Sequence, residues 1–237
     1  MEQLKKLKTM LADSNNIVFF GGAGVSTESG VPDFRSKNGI YNEKYKYPPE
    51  VMLSAGFFMS YTSDFFEFYK NKMLHLDVKP NKAHLKLAQL EEQGKLKVVI
   101  TQNIDGLHQL AGSVNVLELH GSVLRNYCMN CRKFFAIEKI TGSCDVPKCD
   151  CGGTIKPDVV LYGEGLDHDT LEKSVDYISR ADMLIVGGTS LNVYPAAGLV
   201  DYYRGNKLVL INMEATPYDN RADLVIRGKI GEVLGGV

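Results

Sequence analysis

Residues 17–20, Ile-Val-Phe-Phe, run straight into Gly21-Gly22-Ala23-Gly24, and no other stretch restricts the fold as strongly. A short apolar run bounded by glycines reads as a buried strand. A strand that ends in glycines just before a helix start brings bare backbone N–H groups, and the positive end of a helix dipole, against an anion. The run continues as Val25-Ser26-Thr27-Glu28-Ser29-Gly30-Val31-Pro32-Asp33-Phe34-Arg35, which attaches a polar segment to a phosphate-binding turn. The spacing is not the usual G-x-G-x-x-G: counted from Gly22, the third glycine would fall at Thr27, and the next one is Gly30. A lone G-x-G also serves as a plain structural turn. The acidic residue that grips an adenosine ribose about twenty positions on has no convincing candidate either, because residues 41–49 form a Tyr/Lys/Pro-rich loop. A dinucleotide bound here is not expected to serve ordinary hydride transfer.

Further strand-like runs at 97–101, 116–119, 183–186 and 208–211 alternate with helical patterns such as 83–93 and 171–178. This alternation predicts an α/β fold, a mostly parallel sheet with helices on both faces. Leu85, Leu87 and Leu90, and likewise Leu171, Val175 and Ile178, read as core contacts. With 237 residues and 44% hydrophobic content the chain can bury one substantial core and a smaller module. Its 27 basic and 28 acidic side chains nearly cancel, without a long run of either sign, which disfavours nucleic acid as a partner. The apolar stretches fall far short of the ~20 residues of a membrane span, and Leu4, Leu7 and Leu11 among Glu2, Lys5, Lys6 and Lys8 suggest an amphipathic helix instead of a signal peptide. The expected location is the cytoplasm.

Polar clusters recur where the strands end: Gly22-Ala23-Gly24, Gln102-Asn103-Ile104-Asp105, His120-Gly121, Gly188-Thr189-Ser190 and Asn212. In an open α/β sheet these ends share one edge, and ligands bind in the crevice there. Each cluster alone is equally suited to helix capping; their common placement is what points to a site. Of the five histidines, His75, His84, His108 and His168 sit in or beside helical patterns and read as packing or exposed residues. His120 follows a strand and precedes a glycine, so its imidazole is expected to face the cleft, where it can accept a proton from a hydroxyl. Cys128-x2-Cys131 and, after 17 intervening residues, Cys149-x-Cys151 resemble a zinc ribbon, in which four thiolates close the metal's coordination and leave it a structural role. A disulfide is disfavoured in a chain without a secretion signal. Cys144 remains open as a substitute ligand.

Together these segments resemble the sirtuins, NAD-dependent protein deacylases, and in particular the compact prokaryotic members. The matching stretches are GAGVSTESGVPDFR from Gly22, TQNIDGLH from Thr101, LHG around His120, the four cysteines, PDVVLYGE from Pro157, GTSLNVYPAA from Gly188 and the turn at Asn212. The resemblance implies a Rossmann-like NAD domain (residues 1–35, 81–123 and 157–237) and a smaller domain from a helical insertion (36–80) and a zinc-binding module (124–156). It implies that Gly22, Ala23, Gly24, Thr27, Phe34, Arg35, Gln102, Ile104, Asp105, His120, Thr189, Ser190, Asn212 and Ile230 contact NAD, that His120 and Asn103 are catalytic, and that Val160 and Leu161 line an acyl-lysine tunnel. Zinc would sit on Cys128, Cys131, Cys149 and Cys151. The implied reaction starts when the acyl oxygen of a modified lysine attacks the ribose carbon that carries nicotinamide, with Phe34 shielding the centre. His120 then acts as general base on a ribose hydroxyl. The products are nicotinamide, free lysine and 2′-O-acyl-ADP-ribose, and the partners are acylated proteins or peptides. Mono-ADP-ribosyl transfer and non-catalytic NAD sensing are the alternatives. Tyr69-x-x-Lys72 stands as the counterpart of the Tyr-x-x-Arg pair that succinyl-preferring relatives carry; lysine lacks the arginine fork, so acetyl or other neutral groups are expected.

Overall fold

The computed structural model describes residues 2–34, 39–42 and 45–237. Its larger sheet contains β1 (Ile17–Gly21), β2 (Leu96–Thr101), β3 (Val116–Glu118), β7 (Met183–Gly187), β8 (Leu208–Asn212) and β9 (Leu224–Arg227) in the order β3-β2-β1-β7-β8-β9. Every pairing in it is parallel. All residues of β1 and of β7 are buried, as expected for central strands covered on both faces. Because side chains alternate along a strand, Phe19 and Phe20 enter opposite cores. Phe19 joins Leu7, Leu87, Ile185 and Leu234 beneath α1 (Glu2–Ala12), α5 (Lys82–Glu92) and α9 (Ile230–Gly235). Phe20 joins Ile100, Ile178, Val186 and Leu199 beneath α8 (His168–Arg180) and the 3₁₀ turns of Ala196–Tyr202. The α/β class with a parallel sheet is as expected.

A third core lies outside the sheet. The short helices α2 (Pro49–Met52), α3 (Ala55–Ser60) and α4 (Thr62–Lys72) supply Phe57, Phe58, Phe65, Phe66 and Tyr69 to it. The antiparallel strands β4 (Gly121–Cys128), β5 (Phe134–Ala136) and β6 (Ile155–Val159), with α7 (Glu138–Thr141), supply Cys128, Ile140, Ile155 and Val159. Two stretches far apart in sequence thus close over one apolar interior. Lys70 Nζ reinforces the contact by donating to the carbonyls of Ser143 and Asp145 at 2.5 and 2.9 Å. The remaining helix, α6 (Leu107–Leu110), follows the Gln102 to Asp105 turn.

Three sequence expectations change. The turn after β1 does not open an α-helix; it winds into two 3₁₀ turns, Ala23–Val25 and Thr27–Ser29, because Val25 and Ser26 donate to the carbonyls three residues back. Leu85 is 53% exposed and is not a core contact, since Ala83, Leu87 and Leu90 already fill the inward stripe of α5. Strand β9, the edge strand opposite β3, is not among the runs expected from the sequence.

Candidate active site

The strand order reverses direction between β1 and β7, and a cleft of ≈ 660 Å³ opens at their carboxyl ends. Gly22, Ala23, Gly24, Thr27 and Phe34 line it from the first turn, Gln102, Asn103, Ile104 and Asp105 from the second, and His120 from the third. Val160 and Leu161 close one side, and Thr189, Ser190, Asn212 and Ile230 the other. The structure therefore gathers these candidates into one cavity wall. Arg35 lies outside the described residues.

The glycines serve close backbone approach. A Cβ on Gly24 would stand 2.8 Å from Gly188 Cα, and Gly188 itself has φ +58° with no room beside Val25 N. The N–H groups of Gly22, Gly24, Val25 and Ser26 already donate to Gly187, Gly188, Gly22 and Ala23 carbonyls. Four N–H groups of the turn are thus paired within the protein, not bare as the sequence suggests, and the side chains of Thr189, Ser190 and Gln102 stand in the same cavity wall.

Beneath the turn runs a buried polar chain. Ser26 Oγ donates to Asp105 Oδ2 at 2.6 Å and accepts from Asn103 Nδ2 at 3.1 Å. Asp105 Oδ1 accepts from Leu107 N at 2.9 Å, and Asn103 N donates to Thr101 Oγ1 at 3.0 Å. Ser26, only 1% exposed, was not among the sequence candidates; its place in the glycine run was the available signal.

His120 Nδ1 lies 2.9 Å from the Gln102 carbonyl. A carbonyl only accepts, so Nδ1 carries the proton and Nε2 keeps its lone pair. Burial pushes the imidazole below its ordinary value, opposed by the bond to Gln102, so at neutral pH it is an uncharged base. Gln102 Nε2 donates in turn to Thr189 Oγ1 at 3.2 Å, which ties the base to the far wall. Gly121 next to it has φ +76°, and a Cβ there would fall 1.9 Å from the Asp158 carbonyl oxygen. The return strand is pinned at the same point, Val160 N donating to His120 O at 3.0 Å.

The other histidines differ. His84 and His108 are buried behind the cleft with ring centroids 4.7 Å apart, and burial pushes them down to about 4 and about 3. His168 is exposed beside Glu172. His75 and Lys72 reach the cavity wall, but Tyr69 does not: it is fully buried and stacks on Phe65 at 5.5 Å. Its hydroxyl cannot join Lys72 in holding an acyl carboxylate, so the Tyr69-x-x-Lys72 counterpart is set aside.

In the small domain Cys128 Sγ lies 3.4 Å from Cys151 Sγ and Cys131 Sγ 3.6 Å from Cys149 Sγ, with all four sulfurs within 4.8 Å of one another. Four thiolates at ~2.3 Å from a tetrahedral zinc would be ~3.8 Å apart, so the set fits that metal. The Cys128 thiol is pulled down to about 6, first by the Cys131 backbone N–H. Cys144 is exposed and stands outside the group, which removes it as a substitute ligand.

The Sir2 family model matches residues 22–195, the whole span from the glycine turn to Pro195. The chain belongs to the Sir2 family. An NAD-dependent protein deacetylase of Clostridium acetobutylicum is 63% identical over 99% of this chain and 97% of its own length, and one of Clostridium tetani is 61% identical over 100% and 98%. Among solved structures, a Sir2 with deacetylated p53 peptide and 3′-O-acetyl-ADP-ribose superposes with a TM-score of 0.91 at 43% identity, covering 99% of this chain and 96% of that one. A Sir2 with p53 peptide and NAD gives 0.86 at 42%, covering 98% and 95%. For this Sir2-family chain the cleft is accordingly the place where an enzyme active site is to be sought.

Proposed function

We propose that this chain is an NAD-dependent protein-lysine deacetylase. The observation that carries the reading is the neutral His120, with Nε2 free to accept a proton, in the same cavity wall as the Asn103–Ser26–Asp105 chain and an apolar side made by Ile104, Val160 and Leu161. Bound NAD would supply an activated glycosidic carbon and accept the acyl group, and hydrolysis by one water molecule then gives nicotinamide, free lysine and 2′-O-acyl-ADP-ribose.

The chain's own residues have distinct tasks in this reading. Gly22, Ala23 and Gly24 let the cofactor approach the backbone, Thr27, Thr189, Ser190 and Gln102 hydrogen-bond it, and Asn212 and Ile230 flank its far end. Asp105 and Ile104 hold the nicotinamide side; Asp105 stays in place because both its oxygens are occupied within the protein. Asn103 orients the reacting centre and Phe34 excludes water; Arg35, outside the described residues, is proposed as a further NAD contact. Nε2 of His120 takes the proton from a ribose hydroxyl, and the Gln102 carbonyl stabilises the imidazolium that forms. Cys128, Cys131, Cys149 and Cys151 hold a structural zinc, and residues 36–80 and 124–156 form the small domain on residues 1–35, 81–123 and 157–237. The cytoplasm is the proposed location, where thiols stay reduced for metal; no helix among the described residues is long and apolar enough to cross a membrane.

The deciding experiment is mass spectrometry of the products from NAD and an acetyl-lysine peptide, with His120→Ala as control. Nicotinamide, free-lysine peptide and O-acetyl-ADP-ribose in equal amounts, absent from the control, establish the reaction. ADP-ribose attached to protein without deacetylation identifies a transferase instead, and untouched NAD a binding protein.

A further inference from the structure

The segment that carries Ser26 and Thr27 is held in place from outside by a side chain of the sheet domain. Asn81 stands where the chain returns from the helical insertion, and its side chain divides its work. The oxygen caps α5, Oδ1 accepting from Ala83 N at 2.9 Å, while the Asn81 N–H donates to His84 Nδ1 at 3.2 Å. Capping needs nothing from the amide nitrogen. That nitrogen points the other way and donates to Val25 O at 2.7 Å and to Ser29 Oγ at 3.0 Å. The orientation of the amide is fixed by its partners, since one end faces a backbone donor and the other a carbonyl acceptor. A second tie comes from the loop itself: the Glu28 carboxylate accepts from Gly231 N at 2.5 Å, one residue past Ile230 in the cavity wall.

The two bonds from Asn81 bracket Ser26. Its hydroxyl keeps 2.6 Å to Asp105 and 3.1 Å to Asn103 only while the turn stays where it is. We infer that Asn81 is a positioning residue for the cofactor: its amide nitrogen pre-orders residues 25–29 so that the wall facing NAD is built before NAD arrives. This rests on the deacetylase reading above. A pre-ordered loop lowers the entropy lost on binding. The tie concerns the NAD side of the cleft alone, because the acyl-lysine side is built by Val160 and Leu161, whose segment is anchored to His120, Leu53 and Ala55.

Asn81→Asp separates the two tasks, since aspartate caps a helix as well as asparagine but has no donor for Val25 O. Asn81→Ser does the same with a shorter side chain and without charge. Three readouts are taken on the full chain loaded with zinc: calorimetric NAD affinity, amide hydrogen exchange, and KM values for NAD and for acetyl peptide. Losing the two hydrogen bonds that the amide nitrogen donates, of which about 1 kcal/mol is felt at the cofactor, should weaken NAD binding about fivefold in both variants. Exchange should quicken at the amides of Ser26 to Gly30, and the peptide KM at saturating NAD should move by less than about twofold. Wild-type NAD affinity in both variants overturns the inference, as does an equal rise in the two KM values, which would mark Asn81 as purely structural. A wild type that binds no NAD overturns the deacetylase reading itself, so the two failures are distinct.

Discussion

The pair His84 and His108 makes the stability of the sheet domain depend on acid. An unfolded histidine titrates near 6.5, whereas burial pushes His84 down to about 4, against an opposing pull from Asp105, and His108 down to about 3, with His84 adding to the depression. A folded-state value below the unfolded one means that the unfolded chain binds more protons, so stability is complete above pH 6.5 and is lost as pH falls through 6.5 toward 4 and 3. At pH 5 the gap from 6.5 is worth about 2 kcal/mol for each ring, about 4 kcal/mol for the pair, a large part of an ordinary folding stability. The perturbation is His108→Leu. Neither ring nitrogen of His108 has a hydrogen-bond partner among the described residues, so the leucine strands no donor or acceptor. Urea unfolding at pH 7.5 and pH 5, with saturating zinc, should show the stability lost between the two to be about 2 kcal/mol smaller in the variant than in wild type. Other groups that titrate in this window cancel in the comparison. An equal loss in both proteins would refute the argument and place His108 in contact with water.

The remaining predictions concern the site and the metal. His120→Ala should cut deacetylation by about 100-fold or more with little change in melting temperature; in wild type the acid limb of kcat/KM should lie below pH 6.5, because burial depresses this imidazole, and a midpoint above 6.5 would contradict the assignment. Gly121→Ala should cost a few kcal/mol in chemical unfolding, since its Cβ would fall 1.9 Å from a backbone oxygen at φ +76°; a neutral substitution would mean that the β4–β6 junction relaxes freely. Cys149→Ser should abolish stoichiometric zinc by metal analysis and lower the melting temperature, whereas Cys144→Ser should leave both as in wild type. Acetyl-lysine peptides should turn over with higher kcat/KM than succinyl-lysine peptides, because the Tyr69 hydroxyl is buried away from Lys72; the reverse order in a competition assay would refute it.

The sheet was legible where the sequence is locally decisive. β1, β2, β7 and β8 are apolar runs flanked by turn residues, and burial on both faces requires such runs. The polar groups at their ends were legible for the same reason, because strand direction alone delivers them to one edge. What stayed hidden depends on partners distant in sequence. The N–H groups of the glycine turn look free in the sequence, but the carbonyls that take two of them, on Gly187 and Gly188, arrive about 160 residues later. Tyr69 sits on α4 near a cation, and only the packing of Phe65 and Phe66 shows that it faces inward. Asn81 drew no reading from the sequence: it caps α5, and the other half of its side chain acquires meaning only with Val25 and Ser29 beside it.

The placement of the metal relative to His120 sets what zinc can do here. Strand β4 begins at Gly121, directly after the proposed base, and ends at Cys128, the first metal ligand. Because β4 bulges between Ser122 and Asn126, its two ends pair with β6 residues only four steps apart, about 13 Å of extended chain, and a metal closed in by four thiolates at the far end has no open position for the reacting atoms. It would act through the ladder: β6 pairs with β4 at Ile155↔Cys128 to Pro157↔Asn126 and, past the bulge, at Asp158↔Ser122 and Val159↔Gly121, and the next residue, Val160, bonds the His120 carbonyl. The same module is held to the helical insertion by Lys70 on Ser143 and Asp145. Zinc therefore fixes the far end of a two-stranded lever whose near end holds both the base and the acyl-lysine wall. Its loss should first loosen the small core and raise the KM for peptide, while the bond from His120 Nδ1 to Gln102, which belongs to the sheet domain, persists.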